Sequence, residues 1–149
     1  MKILFVCTGN TCRSPMAEAI FNSLSCNTDL ISSSAGISIV NNSIISDHSY
    51  KVVKNKLGID LSGRKAVGLT KSMLNDYDLV LVMTDFMKHI LKLNNMEYEY
   101  KIFTIGEYCG LNEEIIDPYG GVIETYEKTY TQLEQCISLI ISKLKEGCC

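Results

Sequence analysis

Residues 2–21 read KILFVCTGNTCRSPMAEAIF, and three kinds of local structure follow one another inside them. Lys2 to Val6 is a short apolar run that stops at a turn containing Gly9, the pattern of a buried strand. Ser14-Pro15 then opens a helix, Ser suiting the N-cap and Pro the first turn. Met16, Ala17, Ile20, Phe21 and Leu24 supply its apolar stripe. The segment between strand and helix, residues 7–14, is rich in small polar residues.

The same alternation continues outward. Residues 29–35 suit a second strand ending at Ala35-Gly36, and Ser46 to Leu57 a helix capped by Ser46 and stopped by Gly58. Asp78 to Thr84, DLVLVMT, is an unbroken apolar run of the kind buried on both faces of a parallel sheet. Asp85 to Leu93 reads as helix and Tyr100 to Ile105 as a fourth strand, with Tyr98-Glu99-Tyr100 on the strand surface. Val122, Tyr126, Tyr130, Leu133, Ile137, Ile140, Ile141 and Leu144 recur at steps of three and four, one face of a long helix ending near Gly147. Strands alternating with helices along the whole chain predict an α/β domain with a parallel sheet between helical layers. The 149 residues suit one domain spanning 1–149, with residues 37–46 as its most loop-like stretch.

Composition narrows the function. A net charge of -3 with scattered Lys and Arg gives no basic stripe for nucleic acid. The apolar N-terminal run is too short for a signal peptide, and no run reaches bilayer length, so a cytoplasmic location is expected. Cysteines stand at 7, 12, 26, 109, 136, 148 and 149, an odd number without paired CxxC units. Reduced thiols are therefore expected, and with two His residues no closed zinc site. Cys26, Cys109 and Cys136 read as packing residues, Cys148-Cys149 as an inert terminus, and His48 and His89 as helix-surface residues.

Chemistry concentrates in Cys7-Thr8-Gly9-Asn10-Thr11-Cys12-Arg13-Ser14. Open α/β sheets bind ligands beyond the carboxyl ends of their strands. A helix N-terminus there offers free N–H groups and partial positive charge, and consecutive loop amides close into an anion nest. Such surroundings, with Arg13 six residues on, favour a thiolate at Cys7 and make it a nucleophile. The planar guanidinium of Arg13 matches two phosphoryl oxygens, Ser14 can hydrogen-bond the sulfur, and Asn10 tolerates left-handed backbone. The alternative, a core cysteine and a surface arginine, fits a lone Cys better than it fits a C-x5-R-S spacing at a strand–helix junction. A leaving group needs a proton, and Asp117 in DPYGG, residues 117–121, is the candidate acid. The same residues also make a plain turn, and the loop upstream favours the catalytic reading. Tyr119 reads equally as a wall of a substrate cleft or as a ring packed on the last helix.

VCTGNTCRSPMAEAIF at 6–21, SSAG at 33–36, DLVLVMT at 78–84 and DPYGG at 117–121 together resemble the low-molecular-weight protein phosphatase family over nearly the full chain. The resemblance implies a three-layer, flavodoxin-like fold with a four-stranded parallel sheet ordered 2-1-3-4. It implies attack by Cys7, proton donation by Asp117, a phosphocysteine, and hydrolysis with Asp117 as base. Arg13 and the amides of residues 8–13 would hold the phosphoryl group, with Thr8, Gly9, Asn10, Thr11, Cys12 and Ser14 forming the substrate loop and Ser34 supporting it. No metal or other cofactor is implied, and the partners are phosphorylated proteins, not nucleic acid or membrane. A reversible Cys7–Cys12 disulfide is a further family expectation. One departure stands out: many relatives carry a His where this chain has Ser62-Gly63-Arg64-Lys65-Ala66, which leaves one loop-supporting hydrogen bond without its usual donor.

Within that family, position 11 discriminates. Tyrosine phosphatases usually place a larger aliphatic residue there, whereas the bacterial protein-arginine phosphatase branch carries Thr, as here. A threonine is small and offers a hydroxyl suited to a guanidinium, where Ile would pack on a phenyl ring. A phosphoarginine phosphatase is expected, with a tyrosine phosphatase as the alternative. An arsenate reductase is disfavoured because residues 80–95 contain no cysteine, and a phosphocysteine carrier because Arg13 is present. Intact Cys7, Arg13 and Asp117 disfavour a non-catalytic phosphoprotein-binding or thiol-sensing module.

Overall fold

The computed structural model describes residues 1–146. Strands β1 (Lys2–Cys7), β2 (Ile31–Gly36), β3 (Leu79–Val82) and β4 (Ile102–Thr104) form one all-parallel sheet of four strands in the order β2-β1-β3-β4. Ile3 to Val6 of β1 and all four residues of β3 are buried, as unbroken apolar runs require when both sheet faces are covered.

Helices α1 (Arg13–Leu24), α2 (Asp47–Leu57), α3 (Lys71–Asp76), α4 (Asp85–Asn94), α5 (Ile105–Cys109) and α6 (Ile123–Glu146) fill the connections. From the sheet centre the chain steps outward one way through β1-α1-β2 and the other way through β3-α4-β4. Crossovers of one hand therefore lie on opposite faces, giving three layers. Long α6 packs along α1 on one side, and α4 lies against β3 and β4. The predicted stripe of α6 holds: Tyr126, Tyr130, Leu133, Ile137, Ile140, Ile141 and Leu144 are all buried. Each such aliphatic side chain contributes about 2–5 kcal/mol when measured by truncation to Ala. The two crossovers diverge at the carboxyl ends of β1 and β3, which is where an open α/β sheet holds its ligand.

Several expectations need correction. Ser14 does not cap α1: the helix starts at Arg13 after Cys12, with no side-chain cap, because the Ser14 hydroxyl is engaged by Cys7 and Asn10. Leu24 is the last residue of α1 and is exposed, since the turn held by Ser25 and Thr28 carries the chain away from the core. Val122 is exposed too: it precedes the first turn of α6, where its carbonyl accepts from the Thr125 amide. The second strand begins at Ile31 rather than 29, though it ends at Gly36 as expected. The fourth is only Ile102–Thr104, and Tyr98-Glu99-Tyr100 belongs to a 3-10 helix, Met96–Lys101. Buried Lys101 draws that segment tight by donating to the Tyr77 carbonyl at 2.6 Å. Cys26 is exposed rather than packed, and Cys109 is only half-buried, whereas Cys136 is buried as expected. His48 is half-buried against the Tyr126 ring, 5.1 Å between centroids, while His89 is exposed. Two short helices, α3 and α5, were not anticipated. Cys148-Cys149 and the expected helix end at Gly147 lie outside the described residues. Among the described residues no helix is long and apolar enough to cross a membrane.

Candidate active site

β1 delivers Cys7 to the floor of a cavity of about 530 Å³, and the chain then loops over residues 8–12 before entering α1. Asn10 takes the left-handed conformation at φ 56°, which Asn tolerates better than most residues. That conformation turns the Asn10 amide back onto the Cys7 sulfur, N to Sγ 3.2 Å. On its other side the sulfur meets Ser14 Oγ at 2.8 Å. β2 ends beneath this loop, and only glycine fits there: a methyl on Gly36 would stand 2.7 Å from the Thr8 carbonyl oxygen.

Arg13 is buried on the first turn of α1. Its Nη1 donates to the Ile115 carbonyl at 3.1 Å, and its Nη2 lies 3.7 Å from Asp117 Oδ2. The pair is asymmetric, with the Arg13 side chain 7% and the Asp117 side chain 59% exposed. Asp117 Oδ1 accepts from the Tyr119 amide at 3.1 Å, which orients the carboxylate at the start of the turn. Tyr119 is 82% exposed and borders the cavity, so it is not packed on α6. Thus Cys7, Thr8, Gly9, Thr11 and Cys12 meet Arg13, Asp117 and Tyr119 around one opening, while Asn10 and Ser14 are buried behind it.

The sequence reading missed part of the wall and much of the support. Ser38, Val40 and Ser43, from the stretch read only as loop, complete the cavity. Arg64 Nη1 donates to Asn10 Oδ1 at 3.1 Å and its Nη2 to Ser34 Oγ at 2.8 Å, so an arginine supplies the hydrogen bond that the absent His had left open. Glu18 on α1 accepts from Ser34 at 2.9 Å and lies 3.5 Å from Arg64. The only signal for Arg64 was its place in a segment that departs from the family pattern; Glu18 gave none. Cys12 Sγ is 3.5 Å from Ser46 Oγ and 3.7 Å from Tyr126 Oη. Burial, then the neighbouring Cys12, pushes the Tyr126 hydroxyl up to about 12, so it stays protonated. Among the described residues no group of His, Cys, Asp and Glu is placed to hold a metal ion.

A parallel sheet whose central strand ends in a cysteine, with the Asn10 amide turned onto its sulfur and a buried arginine opening the helix that follows, is an arrangement suited to thiol-dependent phosphoryl transfer. The model of the low molecular weight phosphotyrosine protein phosphatase family matches residues 2–148, and the chain belongs to that family. It is thereby a cysteine-based protein phosphatase acting on phosphorylated proteins. It is 38% identical over 149 residues to the protein-arginine-phosphatase of Bacillus subtilis (strain 168), covering 98% of each chain. It is also 38% identical over 149 residues to the low molecular weight protein-tyrosine-phosphatase PtpB of Staphylococcus aureus, covering 100% of both. Among solved structures, the YwlE arginine phosphatase as a C7S mutant with a phosphorylated active site serine is 36% identical, with a TM-score of 0.92 over 97% of this chain and 96% of that one.

Proposed function

We propose that this chain hydrolyses phosphoarginine in proteins, in the cytoplasm, with Cys7 as nucleophile, Arg13 as phosphate clamp and Asp117 as general acid. Cys7 attacks phosphorus along the axis of the cavity; the P–N bond breaks, and Asp117 gives its proton to the departing guanidine nitrogen. The phosphoryl group then sits on sulfur, held by Arg13 and the amides of residues 8–13. Water, deprotonated by Asp117, attacks phosphorus and releases phosphate and the thiolate. No metal enters this scheme. Unpaired thiols throughout the described cysteines suit a reducing compartment.

Thr11 carries the choice of substrate. It lines the cavity beside Cys12 with a hydroxyl and a small side chain, which suits the polar N–H groups of a guanidinium. The kinship with the Bacillus subtilis arginine phosphatase supports the same reading. One observation favours a tyrosine phosphatase instead: Val40, 74% exposed, and Tyr119 give the cavity apolar walls that would take a phenyl ring, and PtpB is equally similar. Side-by-side hydrolysis of phosphoarginine and phosphotyrosine proteins separates the two. A higher kcat/KM on phosphoarginine, moved toward phosphotyrosine by Thr11→Ile, is expected. Phosphoarginine turnover that is untouched by Thr11→Ile would remove the role given to Thr11.

A further inference from the structure

We propose that Arg64 is the positioning residue that sets the proton direction at the nucleophile, and that it does so without titrating. The inference rests on Cys7 being the nucleophile. It follows from counting donors and acceptors along the chain of hydrogen bonds behind the cavity.

A guanidinium only donates. The atom of Asn10 that faces Arg64 Nη1 at 3.1 Å is therefore its carbonyl oxygen, and the Val67 amide, donating to the same oxygen at 2.8 Å, demands the same. The Asn10 amide nitrogen then faces the other way, donating to Ser14 Oγ at 2.7 Å and to Ser34 Oγ at 3.1 Å. Ser34 also accepts from Arg64 Nη2 at 2.8 Å, so its own proton goes to Glu18 Oε1 at 2.9 Å, a carboxylate that only accepts. Ser14 Oγ, already accepting from Asn10, has one proton left, and the Cys7 sulfur at 2.8 Å is its partner. With the Asn10 backbone N–H at 3.2 Å as well, the sulfur is offered two donors, which favours its anionic form.

Arg64 thus works through Asn10 and Ser14 on a sulfur it does not touch. Its backbone is tied in place, Ile45 N donating to the Arg64 carbonyl at 2.8 Å and Arg64 N to the Leu61 carbonyl at 3.0 Å. Its head is held by Glu18, the charged group facing it, with side-chain exposures of 18% and 23%. Around Cys7 itself, Arg13, Asp117 and Cys12 share the cavity. An imidazole at this place would change charge and donor pattern near neutrality, whereas a guanidinium keeps both.

The test is the rate of Cys7 carbamidomethylation by iodoacetamide against pH, followed on the Cys7 peptide by mass spectrometry in the intact protein. Thermal melts accompany the wild type, Arg64→Met, Arg64→His and Arg64→Lys. In Arg64→Met the Cys7 rate near pH 6 falls about tenfold while the alkaline plateau stays, the effect of a sulfur that has lost its oriented donor. Arg64→His gains an inflection near pH 6.5 that the wild type lacks. Arg64→Lys recovers part of the acid-side rate. A folded Arg64→Met whose profile superimposes on the wild type overturns the proposal; should that variant not fold, an Arg64→His profile without the added inflection does so. Hydrolysis of p-nitrophenyl phosphate by wild type and Cys7→Ser is run in parallel. Equal turnover there refutes the nucleophile itself, independently of what the thiol profile says of Arg64.

Discussion

Asn10 shows how much one buried side chain can organise. Its positive φ aims a backbone N–H at the sulfur, while its amide bridges Arg64 and Val67 on one side to Ser14 and Ser34 on the other. Asp117 has the opposite character, an exposed carboxylate steered by the Tyr119 amide and by Arg13. In the proposed role of general acid it would matter in proportion to the proton its leaving group needs. Asp117→Asn is expected to lower kcat about 10²–10⁴-fold on substrates with basic leaving groups and far less on p-nitrophenyl phosphate. Equal losses on both would sink the assignment. Cys7, Arg13 and Asn10 were legible in the sequence because they lie in one loop whose spacing carries the geometry. Arg64 is 54 residues from Asn10, and only the family resemblance, through the His it replaces, tied its segment to that loop.

Among the elements, α5 illustrates what periodicity hides. Five residues are too few to show a helical repeat, yet the ends are marked: Thr104 Oγ1 accepts from the Glu107 amide, and the Glu107 carboxylate accepts from the Thr104 amide. That capping box could have been read from Thr104 and Glu107 by spacing alone. Burial pushes the Glu107 carboxyl up, but Lys88 and the Thr104 amide outweigh it, and its pKa is lowered overall. A carboxyl depressed in the folded state stabilises above its unfolded pKa and loses that contribution as pH falls through the folded value. α5 is therefore expected to loosen in acid, below roughly pH 4.3. The protection factors of the Glu107 and Tyr108 amides should fall there, and Lys88→Met should make that fall smaller, because the folded carboxyl then titrates closer to its unfolded value. An acid-induced loss of protection that is the same in Lys88→Met as in the wild type would show that Lys88 does not hold the cap. The same limits explain the other errors: α6 was legible from 24 residues of repeat, whereas the 3-10 segment before β4 is set by where buried Lys101 finds carbonyls.

For the molecule as a whole, alternating strands and helices revealed a parallel sheet, but the order β2-β1-β3-β4 was expected only through family resemblance, because pairing between distant strands leaves no local trace. Depth sorts the thiols. Cys7 sits in the cavity and Cys26 is exposed, whereas burial, then the neighbouring Cys109, pushes Cys136 up to about 12. In native protein at neutral pH, peptide mapping after brief iodoacetamide treatment should find label at Cys7 and Cys26 and none at Cys136 until denaturant is added. Early label at Cys136 would mean that α6 opens without global unfolding.

Central β1 borders β2 on one side and β3 on the other, and Lys2 is joined to Asp78 across 76 residues. On the ribosome, the strand bearing the thiol is finished long before the neighbour that completes its ladder, and longer still before the turn at Asp117. A nascent chain thus exposes an unpaired strand edge through much of synthesis. The cavity around the sulfur gains Asp117 and Tyr119, the last of its lining residues to be made, only as translation reaches the last helix. Incomplete chains released early are thereby expected to carry the signature loop and yet hydrolyse nothing.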